Sequence, residues 1–247
     1  CAAGKNLFST EELVRRVKLT QLDRIVGHDK LVLPQFGATG VSAHKVRKAS
    51  GFSVVWGPIE ARDLKDFITN NYIASKNQRR VSFDFKERLV LIPVEITHML
   101  KPALLMVAAA FVLSGIGPWV FSLGAAWERG IQMATAIVSG IISGTVLVPL
   151  LLPVLPFRSF AAKGMLVGVP VGLAVALVFA GNITLWEFGA LFLAATALSS
   201  FLGMNFTGST PYTSPSGVER EMRWAIPAQM LATVLVLVFW IMSPFTG

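Results

Sequence analysis

Residues Ile131 to Leu152 read IQMATAIVSGIISGTVLVPLLL, a run of twenty-two residues without a charged side chain. An α-helix needs about 20 apolar residues to cross the hydrocarbon core of a bilayer. Four other apolar runs of similar character lie in the same part of the chain. The five predicted spans are residues 103–123, 131–152, 165–180, 185–204 and 224–241. The sequence therefore predicts an all-α transmembrane domain of five helices over residues 96–247.

Two of these spans depart from a plain apolar helix. The first is interrupted by Gly115–Pro118, which predicts a kink or an interfacial turn near Trp119. The third is short and carries Pro170, so a tilted or re-entrant segment is its alternative. Small residues that permit close helix packing recur in the second and third spans: Ser139, Gly140, Ser143, Gly144, Gly164 and Gly168.

The charge of the chain is concentrated before the spans. Of the 22 Lys and Arg residues, 17 lie within residues 1–101, and of the 14 Asp and Glu residues, 10 do. Hydrophobic residues make up 53% of the sequence, which is too apolar for an ordinary soluble domain. A net charge of +8 is compatible with nucleic-acid binding, but the sequence contains no basic–aromatic motif and no zinc-ligand spacing that would support it. We therefore expect a basic soluble unit followed by a membrane domain, and no nucleic-acid partner.

The predicted loops assign an orientation. Arg129 lies between the first two spans, Arg158 and Lys163 lie between the second and third, and Arg220 and Arg223 precede the fifth. The positive-inside rule then places the N-terminal unit in the cytoplasm. We expect the spans to lie in the cell inner membrane. Ionisable residues are nearly absent from the predicted span interiors, and Glu187 lies at an end, which argues against an ion-coupled transporter.

Residues 1–95 show the alternation of an α/β unit. Ser9 and Glu12 match a helix capping box, in which each side chain caps the other's backbone N–H. The predicted elements that follow are a strand Leu31–Phe36, a helix Val41–Ser50 ended by Gly51, a strand Phe52–Trp56, a helix Glu60–Tyr72 with Leu64, Phe67 and Ile68 on one buried face, and a third strand Val81–Phe85. This order predicts a parallel sheet in a Rossmann-like unit.

The loop Gly37–Gly40 follows the first predicted strand. Ligands in open α/β sheets bind at the carboxyl ends of strands, and the sequence Gly37-Ala38-Thr39-Gly40 offers close backbone approach and one hydroxyl. Taken alone, most glycine turns after strands are only turns. His44 is a possible metal ligand by residue type, but its position beside Lys45 in a predicted helix favours a solvent-exposed polar residue.

Cys1 is the only cysteine, so an internal disulfide or a multi-cysteine metal site is excluded within this sequence. Three interpretations of Cys1 are open. It is an unremarkable thiol, the lipid-modified first residue of a lipoprotein, or a soft thiolate ligand to a metal. The lipoprotein interpretation places the basic unit outside the cell, against the loop charges.

The string Cys1-Ala2-Ala3-Gly4-Lys5 resembles the cap-helix motif of the mercury-methylating corrinoid proteins. Leu31–Val41 with Ala43-His44, and Gly51–Pro58, also resemble that family, as does a membrane domain after the soluble unit. The family is similar to the corrinoid domain in the large subunit of the acetyl-CoA-pathway corrinoid iron–sulfur protein. Its motif continues upstream of the cysteine with Asn-x-Trp. We therefore expect the corrinoid domain to be N-terminally truncated here, with its first strand before Cys1.

The resemblance implies a function and a cofactor. Cys1 is expected to be the axial cobalt ligand of a base-off cobalamin, and Ala2, Ala3, Gly4 and Lys5 to line its lower face. Gly37, Ala38, Thr39 and Gly40 are expected to contact the same corrinoid. The implied reaction is methyl transfer from methyl-Co(III) cobalamin to Hg(II), which gives methylmercury. Lys5 is also expected to lower the pKa of the thiol or to meet a corrinoid amide or phosphate.

The resemblance also implies partners. They are a ferredoxin-like protein with two 4Fe–4S clusters as electron donor and a separate methyltransferase as methyl donor. A basic face of Arg15, Arg16, Lys18, Lys45 and Lys48 offers an acidic protein a complementary surface, although the same residues equally serve to solvate helices. The alternative function is a non-catalytic membrane protein, either a transporter subunit or an anchor, with a regulatory cytoplasmic domain.

Overall fold

The computed structural model describes residues 8–81, 83–118, 120–206 and 215–246. The chain divides into two compact units, Cys1–Ser82 and Phe83–Gly247. The division falls earlier in the sequence than the predicted boundary at residue 95, because the first long helix already begins at Phe85.

Unit 1 is built on a short parallel β-α-β motif. Its elements are α1 (Thr10–Leu19), α2 (Leu22–Ile25), β1 (Lys30–Leu33), a 3₁₀ turn (Gln35–Thr39), α3 (Ala43–Ser50), β2 (Ser53–Trp56), a second 3₁₀ turn (Ala61–Asp63) and α4 (Leu64–Thr69). Strands β1 and β2 pair in parallel, with Lys30 opposite Ser53 and Leu33 opposite Trp56. Parallel pairing requires a crossover, and α3 supplies it. The predicted parallel order is therefore present, but the described residues form two strands and do not establish a Rossmann fold.

The start and end of the crossover helices follow the sequence signals. Gly51 has φ +78° and its N–H donates to Arg47 O, so it ends α3 as a left-handed cap. Ser9 caps α1 by accepting from Glu12 N at 3.2 Å. The second hydrogen bond of the predicted capping box, from the Ser9 backbone N–H to the Glu12 side chain, is wrong, because the Glu12 carboxylate instead accepts from Arg15 and Arg16. The hydrogen bond from Arg15, and then that from Arg16, lower the pKa of Glu12 to about 2.

The predicted third strand Val81–Phe85 is wrong among the residues described. Phe85 is the first residue of a helix that is capped by Asp84, whose backbone N–H donates to the Glu87 carboxylate at 3.0 Å. The apolar alternation at 81–85 suggested a strand, but Asp84 and Glu87 together satisfy the first-turn backbone groups of a helix. These two capping side chains therefore favour the start of a helix over a strand.

The predicted helix Glu60–Tyr72 is shorter than expected. It is divided into the 3₁₀ turn and α4, and the backbone turns left-handed at Asn71 and Tyr72. Phe67 is fully buried as predicted, whereas Leu64 is 37% and Ile68 48% exposed, so the three do not form one buried face.

Unit 2 contains five helices that are long and apolar enough to cross a membrane, which marks a multi-pass membrane protein. Its elements are α5 (Phe85–Ser114), β3 (Ile116–Gly117), β4 (Val120–Phe121), α6 (Leu123–Ile142), a π-helical turn (Ser143–Leu147), α7 (Val148–Leu151), α8 (Phe160–Phe179), a 3₁₀ turn (Ala180–Asn182), α9 (Leu185–Asn205) and α10 (Pro215–Thr246).

The first span begins and ends earlier than predicted, because β3 and β4 form a hairpin over the residues assigned to its end. The third span is a full-length helix, so a short re-entrant segment is ruled out for the described α8.

Helix α9 packs closely against α8 and α6 through small residues. A Cβ added at Gly168 would lie 2.7 Å from Ser199 Cβ, and one added at Gly140 would lie 2.8 Å from Ala195 O. The Ser199 hydroxyl makes hydrogen bonds across both interfaces, with Gly164 O at 2.7 Å and with Ser143 Oγ at 2.8 Å. The predicted close approach at the small residues of the second and third spans is therefore confirmed.

We predict that Gly168→Ala destabilises unit 2. The new methyl group overlaps Ser199 and approaches Thr196 Cα, a contact of 3.0 Å, at a cost of about 1–3 kcal/mol for overpacking. Gly181→Ala is the matched control, since nothing lies within 4 Å of its added Cβ. Unfolding in a titration of mixed detergent micelles measures both. Equal stability of the two variants would show that the α8–α9 interface can relax around a methyl group.

Candidate functional site

The carboxyl ends of β1 and β2 form the candidate ligand edge of unit 1. The 3₁₀ turn Gln35–Thr39 follows β1, and Gly57 follows β2 and donates its N–H to Leu33 O at 2.8 Å. A Cβ at Gly57 would lie 3.0 Å from Val32 Cγ1, so glycine permits the two strand ends to meet. Arg79 Nη1 donates to Gln35 Oε1 at 3.2 Å, which ties a later loop to the same edge.

The start of α1 joins this edge as well. The ring of Phe8 occupies the space beside Gly37, where a side chain would overlap it. Thr10 Oγ1 accepts from Ser42 N at 2.9 Å, which fixes the first turn of α1 beside the first turn of α3. Phe8 and the first turn of α1 therefore lie at the carboxyl edge of the parallel strands.

The predicted site residues fall into two groups. Cys1, Ala2, Ala3, Gly4 and Lys5 lie outside the described residues. In the loop, Gly37 is buried under Phe8, while Ala38 and Thr39 are exposed. Thr39 Oγ1 donates to Phe36 O at 3.0 Å, so its oxygen retains the capacity to accept a hydrogen bond. Ala38 and Thr39 present an outer surface, Gly40 is half-buried, and Gly37 packs against Phe8; the expected contact of this loop with a corrinoid stays a prediction.

His44 is exposed on α3, in agreement with the expected polar helix residue. Within residues 8–81, 83–118, 120–206 and 215–246, no group of three or more His, Cys, Asp or Glu side chains is arranged to hold a metal ion.

A second polar cluster lies in unit 2 and was not anticipated. Arg129, which the sequence placed in a loop, lies within α6 and its Nε donates to Glu187 Oε1 at 2.8 Å. The side chains are only 12% and 8% exposed. Arg129 also donates to Ser114 O at the end of α5 and to Trp240 O in α10, and its guanidinium lies 4.6 Å from the centroid of the Trp240 ring.

Glu187 is satisfied on its other oxygen by the start of its own helix. Its Oε2 accepts from Thr184 N at 2.9 Å, and Thr184 Oγ1 accepts from Glu187 N, which completes a capping box. The spacing Thr184-x-x-Glu187 is the sequence signal that would have found this helix start. Because both partners are hydrogen-bonded, the pair joins the ends of α5, α6, α9 and α10 and does not present a free charge.

No protein-family model, curated protein or solved structure matches the chain.

We predict that Gly37→Ala destabilises unit 1 by about 1–3 kcal/mol, because the methyl group and the Phe8 ring cannot share the same space. Hydrogen–deuterium exchange of β1 and β2 in the full chain measures the loss as faster exchange. Gly27→Ala is the matched control, since nothing lies within 4 Å of its added Cβ. A second change, Phe8→Leu, is expected to restore part of the protection. If Gly37→Ala exchanges like Gly27→Ala, Phe8 does not hold the start of α1 against the loop.

We predict that Arg129→Met destabilises unit 2 by about 3–5 kcal/mol, because Glu187 is left buried without its cation. The double variant Arg129→Met with Glu187→Leu is expected to recover part of this loss. Arg223→Met is the control: its partner Glu219 lies in an exposed pair, with side chains 77% and 69% exposed, so the expected change is about 0–1 kcal/mol. Additive losses in the double variant would mean that the two side chains do not act as a pair.

Proposed function

We propose that the chain is a membrane-bound corrinoid protein that transfers a methyl group from cobalamin to Hg(II), giving methylmercury. The proposal rests on the string Cys1-Ala2-Ala3-Gly4-Lys5 and on the resemblance that it carries. Among the described residues, Phe8 packs on Gly37 and Thr10 accepts from Ser42, and both contacts lie at the carboxyl end of the parallel strands. That edge is where α/β sheets bind ligands.

The residues at this edge fit a large planar ligand on one side. Ala38 and Thr39 are exposed and small, and Phe36 beside them is 55% exposed. A corrin ring bears amide side chains that donate hydrogen bonds, and the Thr39 oxygen is an available acceptor. Gly37 contributes to the arrangement from beneath, by accommodating Phe8.

In this proposal the residues have distinct roles. Cys1 would hold the cobalt of a cobalamin through its thiolate, Ala2, Ala3 and Gly4 would leave room for the corrin ring, and Lys5 would favour the thiolate form. A bound cobalt centre would supply the chemistry of methyl transfer to Hg(II), and the thiolate of Cys1 would donate electron density to it. Ala38, Thr39 and Gly40 orient the corrin against the edge of the sheet.

A ferredoxin-like protein with 4Fe–4S clusters would supply the electrons that a bound cobalt centre needs, and a separate methyltransferase would supply the methyl group. The basic face proposed for the acidic electron donor is smaller than the sequence implied. Arg15 and Arg16 both bind Glu12. The exposed Lys18, Lys45 and Lys48 are therefore the residues of this face that attract an acidic protein more strongly.

The placement that we propose is the cell inner membrane, with unit 1 in the cytoplasm. The end of the bundle that contains the starts of α5 and α8 also carries Lys86, Arg158, Lys163, Arg220 and Arg223. At the opposite end, Arg129 is neutralised by Glu187 and Glu128 is exposed. The excess of Lys and Arg at the first end, where Arg223 is paired with Glu219, follows the positive-inside rule.

The test is the visible absorption spectrum of the full chain, purified anaerobically with cobalamin, beside Cys1→Ala and Cys1→His. We expect a thiolate-to-cobalt band in the parent that is absent in Cys1→Ala, together with loss of methylmercury formation in that variant. His44→Ala is the matched control and is expected to retain both, since His44 is an exposed helix residue.

Two results would overturn the proposal. A parent chain that binds no cobalamin would favour the alternative of a transporter subunit or anchor, which contains no cobalt. A band that persists in Cys1→Ala would assign the cobalt ligand to another residue.

A further inference from the structure

Arg88, near the start of α5, is a buried cation without a partner. Only 7% of the residue is exposed, and its Nε and Nη1 are enclosed by protein and make no hydrogen bond. Nη2 is not enclosed, and it makes no hydrogen bond with the residues that the structure describes. Arg129 in the same unit, by contrast, binds a carboxylate and two backbone carbonyls. Arginine stays protonated in proteins and an unpaired buried charge is strongly unfavourable, so Arg88 requires an anion.

The carboxylates closest to Arg88 in the sequence, and a buried one at the same end of the bundle, are bound elsewhere. Asp84, one turn earlier on the same helix face, accepts from the Glu87 backbone N–H, and Glu87 accepts from Asp84 N. Glu221 accepts from Ala161 N at the start of α8. The salt bridges among the described residues do not include Arg88. The described part of the chain therefore supplies no counter-charge.

Arg88 lies at the level where the helices of the bundle end. Leu91, one turn further along α5, packs on a cluster of Leu152, Phe160 and Phe206. Helix α8 begins at Phe160, and α9 ends directly before Phe206. Helix α5 has 30 residues and is about 45 Å long at 1.5 Å per residue, whereas a hydrocarbon core is about 30 Å thick. The first turns of α5 therefore reach the layer of lipid headgroups.

A second cation borders the same cluster. Lys163 Nζ donates to Leu152 O at 3.3 Å and lies 5.2 Å from the centroid of the Phe160 ring. Glu221 is the carboxylate that attracts Lys163. Because this one carboxylate already faces one of the two cations, the cluster keeps a positive charge at Arg88.

The side chains beside Arg88 indicate that the anion belongs to an amphiphile. Phe85, Leu89 and Val90 are 54%, 48% and 71% exposed on the same turns of α5. An acyl chain covers such side chains, and a guanidinium binds phosphate oxygens through charge-assisted hydrogen bonds. A free phosphate has no apolar part for these residues. A zwitterionic lipid carries its own cation, so the net charge of Arg88 is neutralised only by a headgroup with a net negative charge.

We propose that Arg88 binds the phosphate of an anionic phospholipid in the leaflet at this end of unit 2. Nη2 donates to a phosphate oxygen, and the acyl chains lie against Phe85 and Leu89. The guanidinium charge is delocalised over its three nitrogens, so an anion at Nη2 also compensates the charge on the enclosed Nε and Nη1. The site lies in unit 2 and does not depend on methyl transfer in unit 1.

The test is native mass spectrometry of the full chain in a neutral detergent, titrated with dioleoylphosphatidylglycerol or with dioleoylphosphatidylcholine. We expect the parent to bind the anionic lipid about ten-fold more tightly, as a charge-assisted hydrogen bond supplies. Arg88→Gln is expected to abolish this preference. Lys86→Gln is the matched control, because it removes an exposed cation from the same turn, and it is expected to keep the preference within about two-fold.

Thermal unfolding of the delipidated chain separates binding from packing. Without lipid, we expect Arg88→Met to be at least as stable as the parent, because the change removes an unpaired buried charge. With saturating dioleoylphosphatidylglycerol, the parent is expected to unfold at the higher temperature. Arg88→Lys keeps the charge and is expected to keep part of the stabilisation by lipid.

Three results would overturn the proposal. Equal binding of the two lipids by the parent is the first, and it needs no variant that folds. The second is a loss of stability in Arg88→Met that is the same with and without lipid, which would make Arg88 a packing residue. The third is stabilisation of the parent by inorganic phosphate to the same extent as by dioleoylphosphatidylglycerol, which would assign the site to a free anion.

Discussion

The structure of unit 2 depends on how closely α9 approaches its neighbours. In a bilayer, helices gain nothing from burying apolar surface that lipid already covers, so association depends on packing and on hydrogen bonds between helices. Gly140 on α6 and Gly164 and Gly168 on α8 let the α9 backbone come into contact, and the Ser199 hydroxyl bonds across both interfaces. Any larger side chain at these positions separates the helices, and the hydrogen bonds are lost with the contact.

The same constraint explains why α5 and α10 remain apart. Because α6, α8 and α10 all pack on α9, α5 reaches the bundle mainly through α6. The Arg129–Glu187 pair then closes one end, since a single guanidinium binds the carboxylate and the terminal carbonyls of two helices. Such a pair is weak evidence of stability in itself, but it fixes which helix ends meet. The space between α5 and α10 is what this arrangement leaves.

The parts of the fold that depend on local patterns were predictable from the sequence. Long apolar runs predicted the five helices, and Gly51 predicted the end of α3. The small residues of the second and third spans predicted the close helix interfaces. Arg129 was misassigned because hydropathy treats any charge as a span boundary, whereas its partner lies 58 residues away at Glu187. The prediction of a strand at Val81–Phe85 was wrong because the alternation of apolar residues was given more weight than the helix-capping residues Asp84 and Glu87. The packing of Phe8 against Gly37 was not predicted, because the two residues are 29 positions apart and nothing in the local sequence brings them together.

A bundle of five helices is more than an anchor requires, since one span holds a soluble unit at a membrane. Protein interiors are packed to the density of organic crystals, and an empty cavity forfeits the contacts that its walls would otherwise make. The space of about 580 Å³ between α5 and α10 is open at its side, so its walls make those contacts with lipid chains. Packing α5 against α10 would remove the space, and Ala109 and Ala197 on its walls are small enough to permit closer approach. The walls remain apart because α10 packs on α9 while α5 reaches the bundle mainly through α6, so the spacing of these two helices follows from the packing of the other three.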